Sequence, residues 1–426
     1  MNGKRNIRFF VFFLLSIAML ISYTTFATAA EKNAPKEIVW YRMADMAGPY
    51  ASVNAESAES FDAAMEYINS TGGCNGVPMR RVDHEDLGKL EAALSYYVEW
   101  KEAKIPFFMH YSHSNQIEAL KPRVDKDKIC VYTNSPTFMS LYPPGYVFGS
   151  TASYSDQFGL FCDWLVKTQP APHKIAICTW NIAFGRGFWS KEAKDYMKKK
   201  GIQLVAEEFY PPTTVDVSTQ LTRIYAKGGD GTWIYNNTLG AGPAALIKSA
   251  ESLGLLGKLH FAGGPWSCGR DTAKIIGPEL AHKSGWVAIG STQAWGDKDR
   301  PGVKLMRSAH YKIHPPDYPG QMGTLNTWQI ALTVRKVYAK AAKEVGWKNI
   351  NGEAIRNAFL SLEHDPMTEL GFRTSYTKNR PSLLWAQMYT YDENGVDVTM
   401  VDWEPLPNLS PETYWTKGPL YEVPKP

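Results

Sequence analysis

Two hydrophobic rhythms alternate along the chain. Short apolar runs read as strands, and between them lie stretches whose apolar residues recur every three or four positions, as on one face of a helix. EIVWYRMA (37–44) is followed by ASVNAESAESFDAAMEYINS (51–70), and TGGCNGVP then breaks the pattern with glycine and proline. MRRVDHED (79–86) and KLEAALSYYVEWKEAK (89–104) form a second strand–helix pair. IPFFMHY (105–111) and NQIEALKPRVDKD (115–127) form a third, and KICVYTN (128–134) is a fourth strand. After YVFGSTASYSDQ the rhythm restarts, predicting helices over 156–168, 187–200, 216–227 and 242–253. They alternate with the strands KIAICTW, QLVAEEFY, GTWIYNN and KLHFAGG. Such alternation marks an α/β fold with mostly parallel sheets, and two successive series imply two similar lobes.

The last third departs from this beat. GWVAIGSTQAW (285–295) reads as a strand leading into a linker, and GTLNTWQIALTVRKVYAKAAKEV (323–345) is the longest predicted helix. GEAIRNAFLSL (352–362) is a shorter one. Residues 370–403 read as strands, with a hairpin turning through Glu393, Asn394 and Gly395. The Pro-rich stretch 404–426 has no clear periodicity, and the chain contains no internal repeat.

The N-terminus carries a third pattern. Lys4, Arg5 and Arg8 precede a thirteen-residue apolar run, 9–21, too short for a comfortable membrane span. Small residues follow, so 1–30 is expected to be a secretory signal peptide cleaved near Ala29 or Ala30. No other apolar run of eighteen occurs, and the mature chain is expected to be soluble and exported. Without the three leader cations, 43 of the 46 basic side chains remain against 42 acidic ones. That near-neutral balance, with no Lys/Arg block longer than the three lysines at 198–200, gives nucleic-acid binding little support. Five cysteines, odd in number and widely spaced, form no CxxC or Cys/His zinc pattern.

FFMHYSHSNQIEAL (107–120) concentrates the candidate chemistry. His110 and His113 stand three apart beside Ser112, and His84, Glu85 and Asp86 lie on the neighbouring strand, so a metal site is one reading. A Ser–His nucleophile pair is another, but no Gly-x-Ser-x-Gly elbow or orienting acid accompanies it. A third reading is a binding loop, in which hydroxyls and free N–H groups at a helix start attract an anion. Asn115 with Glu118 three residues on reads as the cap of that helix. Trp180, Tyr235, Asn236 and Trp266 sit just past or at strand ends, and Tyr50 lies in the loop after the first strand. Each is a candidate wall of a pocket, and core packing is the alternative for every one.

Several segments together give a resemblance. DMAGPYAS (45–52), INSTGGCNGVPMRRVDHED, MHYSHSNQ, VYTNSPTFMSLYPPGYVFGSTASYSDQ and IAFGRGFWSKEAKDYMKKKGIQLVAEEFY match, in order and spacing, the branched-chain amino acid group of the type I periplasmic solute-binding proteins. The resemblance runs from about residue 39 to 403. It implies two Rossmann-like lobes with parallel central sheets and a three-crossover hinge, near 149–151, 289–292 and 370–374. The lobes would be 31–149 plus 293–370, and 150–292 plus 371–426 with a C-terminal extension. Ligands in such sheets sit at the carboxyl ends of strands, and the lobes close on them by hinge motion.

For this chain the resemblance implies a ligand-carboxylate contact at Ser112, further polar contacts at Ser135 and Thr137, and Phe184 where the family commonly has a tyrosine. His113 is a candidate ligand contact or loop clasp. Amino-acid binders of the family usually hold the α-ammonium with a carboxylate in the loop where FAGGPWSCGRD stands, and there Trp266 is the nearest large side chain. The expected ligand is therefore a small carboxylate, aromatic or apolar, with a branched-chain or other apolar amino acid as the alternative. The expected protein is a non-enzymatic periplasmic receptor, a monomer without cofactor or metal, which serves an ABC permease in the inner membrane. An exported sensor module and a secreted hydrolase or metalloenzyme using His110, Ser112 and His113 are the competing classes.

Overall fold

The computed structural model describes residues 33–365 and 367–411; the expected signal peptide and the end of the Pro-rich tail lie outside the described residues. Strand and helix alternate first through β1 (Ile38–Ala44), α1 (Ala51–Ser70), β2 (Met79–Glu85), α2 (Leu90–Glu102), β3 (Phe107–Tyr111), α3 (Ser114–Asp127), β4 (Cys130–Thr133), the single turn α4 (Phe138–Leu141) and β5 (Val147–Gly149). These strands form one parallel sheet in the order β2-β1-β3-β4-β5. Every residue of β3 and β4 is buried, as expected of strands covered on both faces by helices.

The second series runs α5 (Tyr154–Thr168), β6 (Lys174–Trp180), α6 (Ala183–Arg186), α7 (Lys191–Lys199), β7 (Gln203–Tyr210), α8 (Ser218–Gly228), β8 (Thr232–Asn236), α9 (Ala241–Ser252) and β9 (Leu259–Gly263). Two short helices, α10 (Arg270–Ile276) and α11 (Pro278–Lys283), lead to β10 (Val287–Gly290). The chain then returns to the first lobe as α12 (Pro301–His310), α13 (Met322–Val345) and α14 (Gly352–Ser361), and ends in β11 (Trp385–Tyr391) and β12 (Asp397–Pro405). The second sheet has seven strands, β12-β11-β10-β9-β8-β6-β7. Its last two pair antiparallel across the expected turn, where Gly395 takes φ +71° and its N–H donates to the Asp392 carbonyl. The fold is thus α/β with two lobes dominated by parallel strands.

Three differences from the sequence reading have local causes. The helix expected over 187–200 starts only at Lys191, because Gly187 and Trp189 lie in the turn that follows α6 and Ser190 caps a fresh start by accepting the Ala193 N–H at 3.1 Å. α10, α11 and α12 were not anticipated; they are short, and Gly or Pro bounds each of them. The third passage between lobes lies beyond 370–374. The Gly149 N–H donates to the Pro381 carbonyl at 2.7 Å and the Leu383 N–H to the Thr151 carbonyl at 3.5 Å, so that passage runs beside the first.

α13 ties this hinge to the first lobe. Seventeen of its 24 residues are buried, so it is an interior helix rather than an amphipathic surface one. Asn326 and Gln329 on it both donate to the Ser150 carbonyl, at 3.2 and 3.4 Å. The second passage joins the cluster where the Ala152 N–H donates to Ser291 Oγ at 3.0 Å. A side chain at Gly149 has no room, since its Cβ would stand 2.8 Å from the Thr151 carbonyl oxygen.

Candidate functional site

The carboxyl ends of β1, β3 and β4 face those of β6, β8 and β9 across a cleft. On the first lobe, Asp45 follows β1 and is fully buried. Its carboxylate accepts the N–H groups of Gly48 at 2.6 Å and Tyr50 at 2.8 Å, winding the following loop into a tight turn. Gly48 is required there, because a Cβ would come within 2.3 Å of Asp45 Oδ1. The turn delivers the Tyr50 ring flat onto His113, with centroids 3.8 Å apart and planes 11° from parallel. Asp45 Oδ2 also hydrogen-bonds His113 Nε2 at 2.8 Å, fixing the stack from both ends. Burial first, then the Asp45 charge, pushes the Tyr50 hydroxyl above its ordinary range, so it stays protonated and able to donate.

Ser112 lies beside this stack and is 2% exposed. Its hydroxyl donates to Asp86 Oδ1 at 2.9 Å, and its carbonyl accepts Ser135 Oγ at 2.8 Å. Asn54, on α1, donates to the Tyr111 carbonyl at 3.2 Å. His110 is engaged elsewhere, with Nδ1 3.0 Å from Thr133 Oγ1 and Nε2 3.2 Å from Gln116 Oε1. Burial pushes its pKa down to about 3, so the ring is neutral at physiological pH. Neither histidine hydrogen-bonds Ser112, which removes the base a serine nucleophile needs. His84 packs among Tyr41, Tyr96 and Trp100, and Glu85 accepts the N–H groups of Met46 and Leu87. The acids and histidines of the metal reading therefore do not converge.

The second lobe supplies mostly rings. Asn237 Nδ2 donates to the Phe184 carbonyl at 2.7 Å, setting the start of α6. Phe184 meets Tyr50 edge-on at 6.4 Å, and Trp266, after β9, meets Tyr111 edge-on at 6.4 Å. Tyr154, the first residue of α5, donates to the Asn134 carbonyl at 3.3 Å.

A small inner pocket, with a cavity volume of about 20 Å³, lies between these walls. The first lobe lines it with Tyr50, Val53, Asn54, Ser112, Asn134 and Ser135, and the second with Tyr154, Phe184, Leu239 and Trp266. None of these described lining residues is charged. Tyr50 and Leu239 also border a larger outer cleft with Trp180, Ile182 and Ile275, where His113, Asp271 and Lys274 stand. Tyr50 is thus the partition between the two spaces.

The lobes are joined across the cleft mouth by Arg270, which opens α10. Its guanidinium pairs with Glu56 of α1, donates to the Pro319 carbonyl at 2.8 Å and lies 3.8 Å from the Tyr318 ring centroid. Glu56 in turn accepts Thr324 Oγ1 at 2.8 Å. A backbone bond from the Phe138 N–H to the Gly187 carbonyl, 3.2 Å, adds a second link.

Of the residues singled out from the sequence, Tyr50, Ser112, Ser135, Phe184 and Trp266 meet in the inner pocket, and His113 and Trp180 line the outer cleft. Three do not arrive. Thr137 caps α4, accepting the Ser140 N–H at 3.1 Å, and donates to Glu118 Oε1 at 2.7 Å. That contact also replaces the expected Asn115–Glu118 cap, and α3 starts instead at Ser114 with no side-chain cap bond. Tyr235 and Asn236 still belong to β8: the first packs among Phe158, Phe161 and Phe188, and the second donates to the Cys178 carbonyl at 2.6 Å. The cleft-facing residue of that segment is Leu239, three positions on. Sequence reasoning also passed over Asn54, Asn134 and Tyr154. Asn54 carried a signal, a polar residue at a helix position that folding buries to 2%.

A model of the periplasmic binding protein family matches residues 43–388. Among solved structures, a branched chain amino acid ABC transporter protein from Thermus thermophilus with bound valine aligns with TM-score 0.76 and 19% identity, over 87% of this chain and 97% of that one. A fatty acid ABC transporter substrate-binding protein from Thermomonospora curvata aligns with TM-score 0.72 and 18% identity, over 87% and 93%. An ABC transporter substrate-binding protein from Aeropyrum pernix aligns with TM-score 0.70 and 18% identity, over 87% and 96%. At these identities the likeness is one of fold. No curated protein matches the sequence.

Proposed function

This chain belongs to the periplasmic binding protein family, and on that premise we propose that it is the exported, monomeric solute receptor of an ABC importer, trapping a small apolar or aromatic carboxylate between its lobes. The observation that carries the ligand class is the uncharged inner pocket. No carboxylate lines that pocket to receive an α-ammonium directly, and an ammonium desolvated there would lack an ion-pair partner in contact with it. Trp266 occupies the place where the family resemblance puts the ammonium-binding carboxylate, and Asp271 lies in the outer cleft beside Arg270. The rings of Trp266, Phe184 and Tyr154 supply apolar area, while Ser112, Ser135, Asn54 and Asn134 gather polar groups at the opposite wall. This is the division of an amphipathic small-molecule site.

The test is a thermal-shift screen followed by titration calorimetry with benzoate, phenylacetate, octanoate, leucine and valine. Ligand binding raises the melting temperature by mass action, and the acids without an ammonium are expected to give the larger, saturable shifts. Tight leucine binding with no response to any of the three acids would overturn the ligand class. The fatty acid transporter protein of the same fold and the apolar outer cleft beyond Tyr50 are why the screen includes a straight chain.

A further inference from the structure

Asp86 follows β2 and is wholly buried. One oxygen, Oδ1, accepts the Gly88 N–H at 2.7 Å and the Ser112 hydroxyl at 2.9 Å. The other, Oδ2, is buried with no hydrogen-bond partner among the described residues. The Gln116 amide, which donates to the Lys89 carbonyl at 3.2 Å, also lies near enough to act on the Asp86 carboxyl as a donor.

No cation answers this carboxylate among the described residues. Asp45, at the end of β1, adds a second negative charge within its reach. From the β3–α3 segment come His110, neutral and bonded to Thr133 and Gln116, and His113, turned to Asp45. Its own loop brings Glu85, held by the Met46 and Leu87 N–H groups, and Lys89, which forms no ion pair with Asp86. Burial pushes the Asp86 carboxyl up, against its hydrogen bonds, and the Asp45 charge pushes the same way.

The direction of the Ser112 hydrogen bond decides what the pocket can hold. With Asp86 ionised, the Ser112 proton points away from the ligand, and the pocket meets only lone pairs backed by a buried negative charge. A ligand carboxylate at that wall is repelled. With Asp86 protonated, its O–H donates to Ser112 Oγ, and the Ser112 O–H is free to turn into the pocket and donate to an anion.

We infer that Asp86 is a positioning and specificity-determining residue of the carboxylate site: it takes up one proton as the anion binds, reversing its hydrogen bond with Ser112 so that the hydroxyl faces the ligand. The balance is one anion and one proton in, leaving the buried charge of the site unchanged. The inference rests on the proposed carboxylate ligand.

The test counts protons. Titration calorimetry with whichever of benzoate, phenylacetate and octanoate gives the largest thermal shift is run at one pH in buffers of different ionisation enthalpy, and Kd is followed from pH 5 to 9. Close to one proton taken up per ligand is expected, with affinity falling about tenfold per pH unit on the alkaline side. In Asp86→Asn the side-chain amide donates to Ser112 without titrating, so binding is expected to persist with no proton uptake and a flat profile. Should that variant fail to fold, judged by circular dichroism, His113→Gln takes its place: uptake retained there supports Asp86, and uptake lost there overturns the inference. Uptake that survives in Asp86→Asn comes from another group, His113 being nearest, and sinks the inference. Acid binding with no uptake in the wild type sinks it too, while leaving the carboxylate receptor intact. No acid binding at all, with leucine bound, overturns the underlying reading.

Discussion

The two walls of the cleft are built from different materials. The first lobe presents hydroxyls, amides and two buried carboxylates, nearly all tied into one hydrogen-bonded network: Asp45 to His113 and the Tyr50 N–H, Asp86 to Ser112, and Ser135 to the Ser112 carbonyl. The second lobe presents rings and a leucine, held by backbone geometry more than by polar contacts. Polar contacts give orientation and discrimination, because a buried partner left unpaired is expensive, while rings give affinity in proportion to the area they bury. On the proposed function, the comparison teaches that the first lobe would choose the ligand's head and the second would hold its body. Neither wall makes a closed pocket alone.

Removing the second lobe's contribution should cost most. Trp266→Ala is expected to weaken ligand binding by at least about 2 kcal/mol, roughly thirtyfold, as for an aromatic anchor at the centre of a contact. Calorimetry reads this directly, and a change below threefold would mean that the body of the ligand lies elsewhere. Glu56→Gln strikes the join between the walls. It leaves Arg270 with only the Asp271 contact on its own helix, at 3.3 Å, where the Arg270 and Glu56 side chains are 10% and 7% exposed, while with the lobes apart water can solvate the cation. The closed form should lose population, lowering affinity about tenfold and enlarging the radius of gyration of the liganded protein in small-angle scattering. An unchanged radius together with unchanged Kd would show that the pair does not hold the lobes together.

Ser112→Ala probes the choosing wall with a smaller expected effect. Losing one hydrogen bond costs about 1–1.5 kcal/mol, or roughly five- to tenfold in Kd, and the loss should be concentrated in carboxylate ligands. Equal loss for benzoate and for a ring ligand without a carboxylate, such as benzyl alcohol, would remove the assignment of the head group to this wall.

The smallest wild-type effect is expected in the pH dependence of folding, because two buried groups act in opposite senses. His110 in the first lobe has its pKa pushed down by burial to about 3. Its unfolded form binds a proton first, so its contribution is fully present above about pH 6.5 and is lost as pH falls towards the folded value. Asp397 in the second lobe is pushed up by burial to about 7. Its contribution is fully present below about pH 3.9 and is lost as pH rises through the folded pKa. Between about pH 4 and 6.5 the two slopes, each up to about 1.4 kcal/mol per pH unit, oppose one another. Urea unfolding of Asp397→Asn should reveal the acid lability of the first lobe, and His110→Gln the opposite slope. Parallel profiles for the two variants would erase this difference between the lobes.

The strand–helix alternation of both lobes was legible, because helix and strand periods are local and depend on covering, which every strand of a buried parallel sheet shares. The β11–β12 hairpin was equally plain from Asn394 and Gly395. The cleft was harder to read. Ser112 and Ser135 could be placed at strand ends because the first lies one residue, and the second two, beyond a wholly buried strand. Tyr235 and Asn236 could not be separated from Leu239, since the end of β8 is decided by pairing with β9 as far as Gly263, a contact between distant segments. Thr137 illustrates the same limit: whether a hydroxyl faces a ligand or caps a helix turn depends on the turn that follows it. Arg270–Glu56 joins residues more than two hundred positions apart, and no local pattern announces it.

Tyr50 bears on timing as well as on strength. Its ring forms one wall of the inner pocket and one wall of the outer cleft, and it is pinned by its own N–H and by the His113 face. A cargo molecule in the inner chamber therefore leaks out only when that stack breaks or the lobes part. On the proposed function, the turn around Asp45 would then set how long a bound molecule stays, as well as lining its site through Tyr50.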